Sequence, residues 1–358
     1  MYYFCACFLK KSSKMKKLYG FGLAAFVVVI IILIVALLFY PMSNKDTTAY
    51  LYIDNDDNID SVTYKMDTIC NRIGMAVFNT LVRHSNYKEN VKTGRYAIDE
   101  KVGAFGLFRR LRNSQQEPVK LTLQPVRTTE QLAERLSKKL MLTREELLAS
   151  LCNNDSCKAF GLDTAKIITL FIPNTYELYW NISVNDLLKK MQKENKRFWN
   201  DERMAKAASL GLTKEEVATL ASIVEEETAN ETEMPRVAGM YYNRLRKPMP
   251  LQADPTIKFA LGDFAITRIY HNMLFVDSPY NTYKYEGLPP GPIRMASVTG
   301  IDAVLNMERH DYLYMCAKED FSGTHNFAVT YDEHLQNAAR YSKALNERNI
   351  GKYGKEKQ

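Results

Sequence analysis

The 358-residue sequence has no HExxH pair, and its five histidines (His84, His271, His310, His325 and His334) follow no metal-ligand spacing. It also lacks a GxSxG elbow, an SxxK motif and a phosphate-binding P-loop. Those absences set aside zinc peptidases, serine hydrolases, penicillin-binding acylases and nucleotide hydrolases. None of the six cysteines stands in a CxxC or a zinc spacing. No internal repeat or low-complexity tract is present, and no metal or cofactor is expected. Charge of one sign is scarce as well. Five of the 48 basic residues are lysines within residues 1–17, which leaves 43 against 41 acidic residues for the remainder. Such a body has no basic surface for nucleic acid. With 46% hydrophobic and 25% charged residues, the composition is that of an ordinary globular chain of one or two domains.

What the sequence does contain first is a gap in charge. Leu18–Tyr40 runs for 23 residues without one ionisable acid or base, long enough to span a bilayer. A cleaved signal peptide would have a shorter apolar core and a small-residue cleavage site, whereas here Tyr40-Pro41-Met42 follows. The expectation is therefore an uncleaved transmembrane helix over residues 18–40. Lys10, Lys11, Lys14, Lys16 and Lys17 all precede it, so the positive-inside rule puts residues 1–17 in the cytoplasm and the rest in the periplasm or its equivalent. Of the four cysteines beyond the anchor, Cys152 and Cys157 are close enough in sequence to pair in an oxidising space; unpaired thiols are the alternative.

Residues 45–125 read as a small α+β module. Ala49–Ile53 and Val119–Leu123 are strand-like, and Asn90–Ile98 is a glycine-centred turn entering a third strand. Helical patterns lie around Val62–Ile73 and Val102–Leu111. The acidic string Asp54–Asp60 fails as a calcium loop because Ile59 and Lys65 occupy the sixth and twelfth positions, so it is read as a turn leading to a helix cap. From residue 126 to 350 the chain is mainly helical. Thr128-Thr129-Glu130-Gln131 and Thr143-Arg144-Glu145-Glu146 have capping-box spacing, Ile167–Ile172 is strand-like, Ile172–Trp180 is read as an aromatic loop, and residues 183–209 as helix.

Thr213-Lys214-Glu215-Glu216 is a third capping box and opens the helix EEVATLASIVEEETAN. Val217, Leu220, Ala221, Val224 and Thr228 form its apolar stripe. At about 100° per residue the three glutamates diverge: Glu226 opposite Val217 toward solvent, Glu225 on the stripe's margin, and Glu227 between Leu220 and Ile223 on an apolar flank. A carboxyl group on that flank is partly desolvated, which raises its pKa and suits it to donate a proton near neutral pH. A run of solvated acids at a helix end is the competing reading. Four turn-rich segments follow the helix: Ala253-Asp254-Pro255-Thr256, Tyr280–Tyr283, Gly287–Ile293 and Gly323–Phe327. Polar and aromatic loops on a helical scaffold suit a groove for a polar ligand such as a glycan.

The succession ASIVEEET (Ala221–Thr228), YYNRLRKPMPLQADPT (Tyr241–Thr256), YNTY, GLPPGPI and THNF closely resembles the endolytic murein transglycosylase (YceG-like) family. The N-terminal anchor and the TGRY segment fit the same plan, so the resemblance covers most of the chain; only the tract Gly262–Val276 resists matching. It implies an α+β chain made of a single N-terminal transmembrane helix, a small LysM-like peptidoglycan-binding module at 45–125 and a larger catalytic domain at 126–350. It also implies membrane-anchored cleavage of peptidoglycan glycan strands, with peptidoglycan synthases of the penicillin-binding class as partners. The second Glu of the ExET motif is the family's catalytic acid, which is Glu227 here. Glycoside cleavage usually needs two carboxylates. A lytic transglycosylase needs one, because the muramic C6 hydroxyl is the nucleophile and the product is a 1,6-anhydro end. Gln252, Asp254, Asn281, Tyr283 and His325 are the candidates for holding sugar. Two rival functions remain at this point: a non-catalytic cell-wall-binding protein, and a muramidase that hydrolyses with Asp254 as partner carboxylate.

Overall fold

Helix α1 (Tyr2–Phe39) precedes everything else in the computed structural model, which describes residues 2–348. Its stretch Phe21–Phe39 has a mean hydropathy of 3.4, leaves its side chains exposed, and is the one helix among the described residues long and apolar enough to cross a membrane. Length and composition of this kind suit an anchor or a signal sequence. The remaining chain divides into two compact units. One holds the chain through Val119 together with Glu177–Asn181; the other holds Lys120–Tyr176 and the chain from Ile182 onward.

In the first unit the chain forms β1 (Ala49–Ile53), α2 (Ile59–Asp67), α3 (Arg72–Arg83), β2 (Gly94–Ile98) and α4 (Ala104–Arg112). β1 and β2 pair antiparallel with Leu51 opposite Tyr96. Period-two alternation turns Leu51, Ile53, Tyr96 and Ile98 into a core shared with Phe78 of α3 and Leu107 and Leu111 of α4. The acidic string does end in a cap. Asn58 closes a reciprocal box with Ser61 at the start of α2, and Asp54 and Asp57 both take Lys65 as partner. The helical pattern around Val62–Ile73 is broken in two, because Asn71 turns its side chain onto the Gly74 N–H and caps a new helix.

The chain passes from one unit to the other along β3 (Val119–Thr122), then forms α5 (Thr129–Ser137), α6 (Arg144–Leu151) and α7 (Asn154–Lys158), and returns along β4 (Thr175–Leu178). Two local expectations fail here. Ile167–Leu170 is a 3-10 turn and not a strand: Ile167, Ile168 and Leu170 are all buried, and a short apolar run has no period by which to tell the two apart. Thr175–Leu178 is a strand inside the expected aromatic loop, with Tyr176 and Leu178 inward and Thr175 and Glu177 outward. Among the described side chains the four cysteines are free; Cys157 is buried, its Sγ 3.4 Å from the Leu151 carbonyl, while Cys152 is exposed.

The second unit continues with α8 (Val184–Phe198), α9 (Asp201–Ser209), α10 (Lys214–Glu227), α11 (Met234–Arg246), α12 (Asp254–Leu261) and α13 (Val298–Leu305). The hairpin β5 (Tyr314–Ala317) and β6 (His325–Ala328) and the capped helix α14 (Tyr331–Glu347) complete it. α10 is its axis, packed by α9, α11, α12 and α13. Every residue from Val217 to Val224 is buried, so the helix has no solvent face of the kind an amphipathic stripe implies. Its polar residues survive burial by bonding within the chain: Thr219 Oγ1 donates to the Glu215 carbonyl at 2.8 Å, and Ser222 Oγ to the Thr219 carbonyl at 2.7 Å.

Candidate active site

The reciprocal box between Thr213 and Glu216 starts α10, and the extended backbone of Thr228 stops it directly after Glu227. Three consecutive carboxylates therefore stand on the last turn, where the unsatisfied carbonyls repel negative charge. Each has a different remedy. Glu225 accepts the Ser297 N–H at 3.1 Å at the N-terminus of α13, a position that favours an anion. Gly300 makes room for it, since a Cβ there would lie 2.6 Å from Glu225 Cδ. Glu226 is clamped by Arg127 Nη2 at 2.9 Å and Arg294 Nη1 at 3.0 Å, with 15% of its side chain exposed. The expectation that Glu226 faces solvent is thus corrected: the space it points into is filled by two guanidinium groups.

Among the described residues, no cation is bonded to Glu227. It accepts a hydrogen bond on Oε1 from Tyr241 Oη of α11 at 2.8 Å, and although part of the residue remains exposed, the carboxyl group is largely surrounded by protein. Burial pushes its pKa up to about 7; the Tyr241 bond and the charges of Arg244 and Lys258 pull against that, and the charge of Asp254 adds to it. Tyr241 is itself held neutral, its pKa raised by burial and by the neighbouring carboxylate. Arg244, one turn on from Tyr241, is buried and spends its donors on the carbonyls of Leu313, Pro250 and Leu251.

Asp254 opens α12, and Tyr283 Oη donates to its Oδ1 at 2.5 Å. The two segments that carry these residues are fastened by Thr282. Its carbonyl accepts the Gln252 N–H, and its hydroxyl accepts the Ala253 N–H and meets Thr256 Oγ1 at 2.9 Å. Gln252 sits at φ 51, a left-handed conformation that this double clasp maintains. Asn281, expected to touch sugar, is fully buried. Its amide donates to the carbonyls of Leu274 and Val276, and its oxygen accepts the Tyr283 N–H. It holds the loop that presents Tyr283 and has no surface to offer a ligand. His325 begins β6 and gives both its N–H and its Nδ1 to Glu233, which also accepts Thr228 Oγ1 at 3.3 Å, next in sequence to Glu227.

The GLPPGPI segment runs along α10. Leu288, Pro289 and Pro290 line a cavity of about 590 Å³ beside Thr213 and Glu216 at the first turn; Ile293 N–H donates to Ser222 Oγ midway, and Arg294 reaches Glu226 at the end. The structure thus joins Asp254 with Tyr283, ties Gln252 to them through Thr282, and places Glu227 within electrostatic reach of Asp254. Tyr241, Arg244, Glu233 and Thr282 went unread in the sequence. Tyr241 and Thr282 lie inside quoted motifs, yet nothing in their spacing says which carboxylate or backbone group they meet.

A buried carboxyl group with a raised pKa and a second carboxylate nearby, on a helical unit with polar loops, has the composition that glycoside-cleaving sites use. Residues 51–340 match the family model of the YceG-like family, and the chain belongs to that family. It is 36% identical over 169 residues to the endolytic murein transglycosylase of Bacillus subtilis (strain 168), covering 46% of this chain and 45% of that protein. It is 27% identical over 304 residues to the endolytic murein transglycosylase of Streptococcus pneumoniae serotype 2 (strain D39), covering 74% of this chain and 53% of that protein. The chain spans about half the length of these relatives. A crystal structure of a yceG-like protein from Listeria monocytogenes aligns with a TM-score of 0.53 at 24% identity, over 82% of this chain and 99% of that one, which is a likeness of fold.

Proposed function

We propose that this chain is a membrane-anchored endolytic lytic transglycosylase that cleaves peptidoglycan glycan strands, with Glu227 as the catalytic acid and base. The observation that carries the reading is the carboxyl group of Glu227, desolvated to a pKa of about 7 and oriented by Tyr241 at the end of a buried helix. Protonated, it donates to the glycosidic oxygen as the bond to the muramic C1 breaks. Ionised by that transfer, it takes the proton of the muramic C6 hydroxyl as that oxygen closes on C1, which regenerates the acid and leaves a 1,6-anhydro end. Asp254, held by Tyr283, stabilises the positive charge that develops on the sugar ring. Tyr283, Gln252 and His325 are the remaining residues assigned to hold the sugar.

In this reading the helix over residues 18–40 crosses the cytoplasmic membrane with residues 1–17 inside. Residues 45–125 act as a LysM-like module on the strand, and residues 126–350 cut it. Cutting nascent strands limits their length and places the protein beside peptidoglycan synthases. A second reading is favoured by one observation: Asp254 is a carboxylate close enough to Glu227 to raise its pKa, so the pair has the composition of a hydrolase, with Asp254 activating water. Digestion of purified peptidoglycan followed by mass spectrometry separates the two. Anhydro ends, lighter by one water, support the transglycosylase; reducing ends require the hydrolase; no cleavage by the intact protein leaves a binding protein.

A further inference from the structure

A cavity of about 460 Å³ opens beside the last turn of α10, between the segment Pro125–Arg127, helix α5 and Arg294. Its charged lining consists of Arg127, Arg135, Lys138, Arg294 and Glu134, and Glu226 closes it from behind through Arg127 and Arg294. Counting Glu225, which Arg294 also approaches, four cations thus face three carboxylates. The compensation is also uneven. Among the described residues, Lys138 is 68% exposed and pairs only with Glu134, Arg135 Nη1 bonds the neutral carbonyl of Gln124 at 3.0 Å, and Arg294 Nε is buried without a hydrogen-bond partner, 3.9 Å from Glu225 Oε2. Concave sites lined by one sign of charge concentrate ions of the other sign. Two links tie the residues around the cavity to the carboxylates of the proposed site. Glu226 precedes Glu227, and the Arg127 guanidinium lies 5.2 Å from the ring centre of Phe264, which packs on Phe259 of α12, the helix that Asp254 begins.

Resting on the glycan-strand function proposed above, we infer that this cavity is a subsite for a carboxylate-bearing stem peptide of the strand being cut. A polysaccharide threaded past Glu227 carries its peptides as lateral branches, and their free carboxylates are the anionic groups of that substrate. Guanidinium groups bind carboxylates with paired, charge-assisted hydrogen bonds, and Arg127 and Arg294 are fixed by Glu226 before any ligand arrives. The enzyme is therefore selective for peptide-bearing strands over denuded ones.

The test uses the full chain in detergent micelles and three substrates: strands with intact acidic stem peptides, strands with fully amidated peptides, and strands stripped of peptide by an amidase. The expected result is a kcat/KM about tenfold or more higher for the acidic strands, the value of one hydrogen bond to a charged group. Lys138→Glu should remove that preference and leave cleavage of stripped strands unchanged. Exchanging the pair, Glu134→Lys with Lys138→Glu, restores the cavity's charge and should restore the preference, which a merely misfolded surface would not do. Binding of the same strands to the Glu227→Gln variant should show the same order without catalysis. Equal use of acidic and amidated strands by the unaltered protein, or an equal loss on all three substrates in Lys138→Glu, would overturn the subsite. No cleavage of any substrate would instead remove the glycosidase reading; ordered binding to Glu227→Gln would then still uphold the subsite, and uniform binding would end it.

Discussion

Tyr241 Oη donates to Oε1 of Glu227 across 2.8 Å, and this bond is the only side-chain hydrogen bond that carboxyl group receives among the described residues. It fixes one of the two carboxyl oxygens. Because a carboxylate accepts a hydrogen bond better than a carboxylic acid does, the same bond also restrains the upward shift that burial imposes.

Tyr241→Phe should therefore move the alkaline limb of the activity profile to higher pH, since the pKa of Glu227 rises when the donor is lost. The maximal rate should fall about tenfold, as a carboxyl group free to rotate is less often aligned with the bond to be cut. A pH–rate profile checks both effects, and the opposing directions separate this outcome from simple loss of folded protein.

Asp254→Asn should shift the alkaline limb the other way. The negative charge of Asp254 raises the Glu227 pKa, so its removal lowers it, and activity should begin to fall at a pH below the wild-type limb near 7. If the enzyme is a hydrolase acting through Asp254, the same substitution should abolish cleavage outright, which the rate at low pH reveals.

Stability carries the same signature. The folded-state pKa of Glu227 lies above its ordinary value of 4.5, so the folded protein binds the proton more tightly than the unfolded chain. That contribution is complete below about pH 4.5 and is lost as the pH rises through 7. Glu227→Gln should match the wild type in thermal stability at pH 4.5 and exceed it at pH 8, by up to about 3 kcal/mol if the whole shift is realised. Thermal unfolding at the two pH values measures the difference.

Gly300→Ala drives a methyl group into Glu225, whose carboxylate would leave the N-terminus of α13. The expected loss is about 1–2 kcal/mol, the value of a charge-assisted bond at a helix terminus. Glu225→Gln should cost a similar amount, and the double variant should cost much less than the two together, because both remove one interaction. A double-mutant cycle by chemical denaturation reads this directly.

The beginning of α10 was legible because caps are local. Thr213 and Glu216 meet across three residues, and the same holds at Thr143 with Glu146. The placement of Glu227 on an apolar flank was legible too, since helical geometry sets its direction relative to Leu220 and Ile223. What that direction contains is not local. Arg127 reaches Glu226 across 99 residues of sequence and Tyr241 reaches Glu227 across 14, so solvent and protein look alike from within α10. Asn281 shows the same limit in reverse. A polar residue in a turn reads as a ligand contact, whereas here its three hydrogen bonds all go to backbone groups of its own loop. The 3-10 turn at Ile167–Leu170 was missed for lack of any period in a short run whose apolar residues are all buried.

The most direct measurement compares glycan cleavage by Glu225→Gln, Glu226→Gln and Glu227→Gln in the full chain. Glu227→Gln keeps the acceptor for Tyr241 but has no proton to transfer, so cleavage should fall by about 10²–10⁴-fold while strand binding persists. Glu226→Gln weakens the clamp of Arg127 and Arg294 and should lower stability more than rate, and Glu225→Gln should keep most of its activity once folded. Near-normal cleavage by a folded Glu227→Gln protein would contradict the assignment of the catalytic acid.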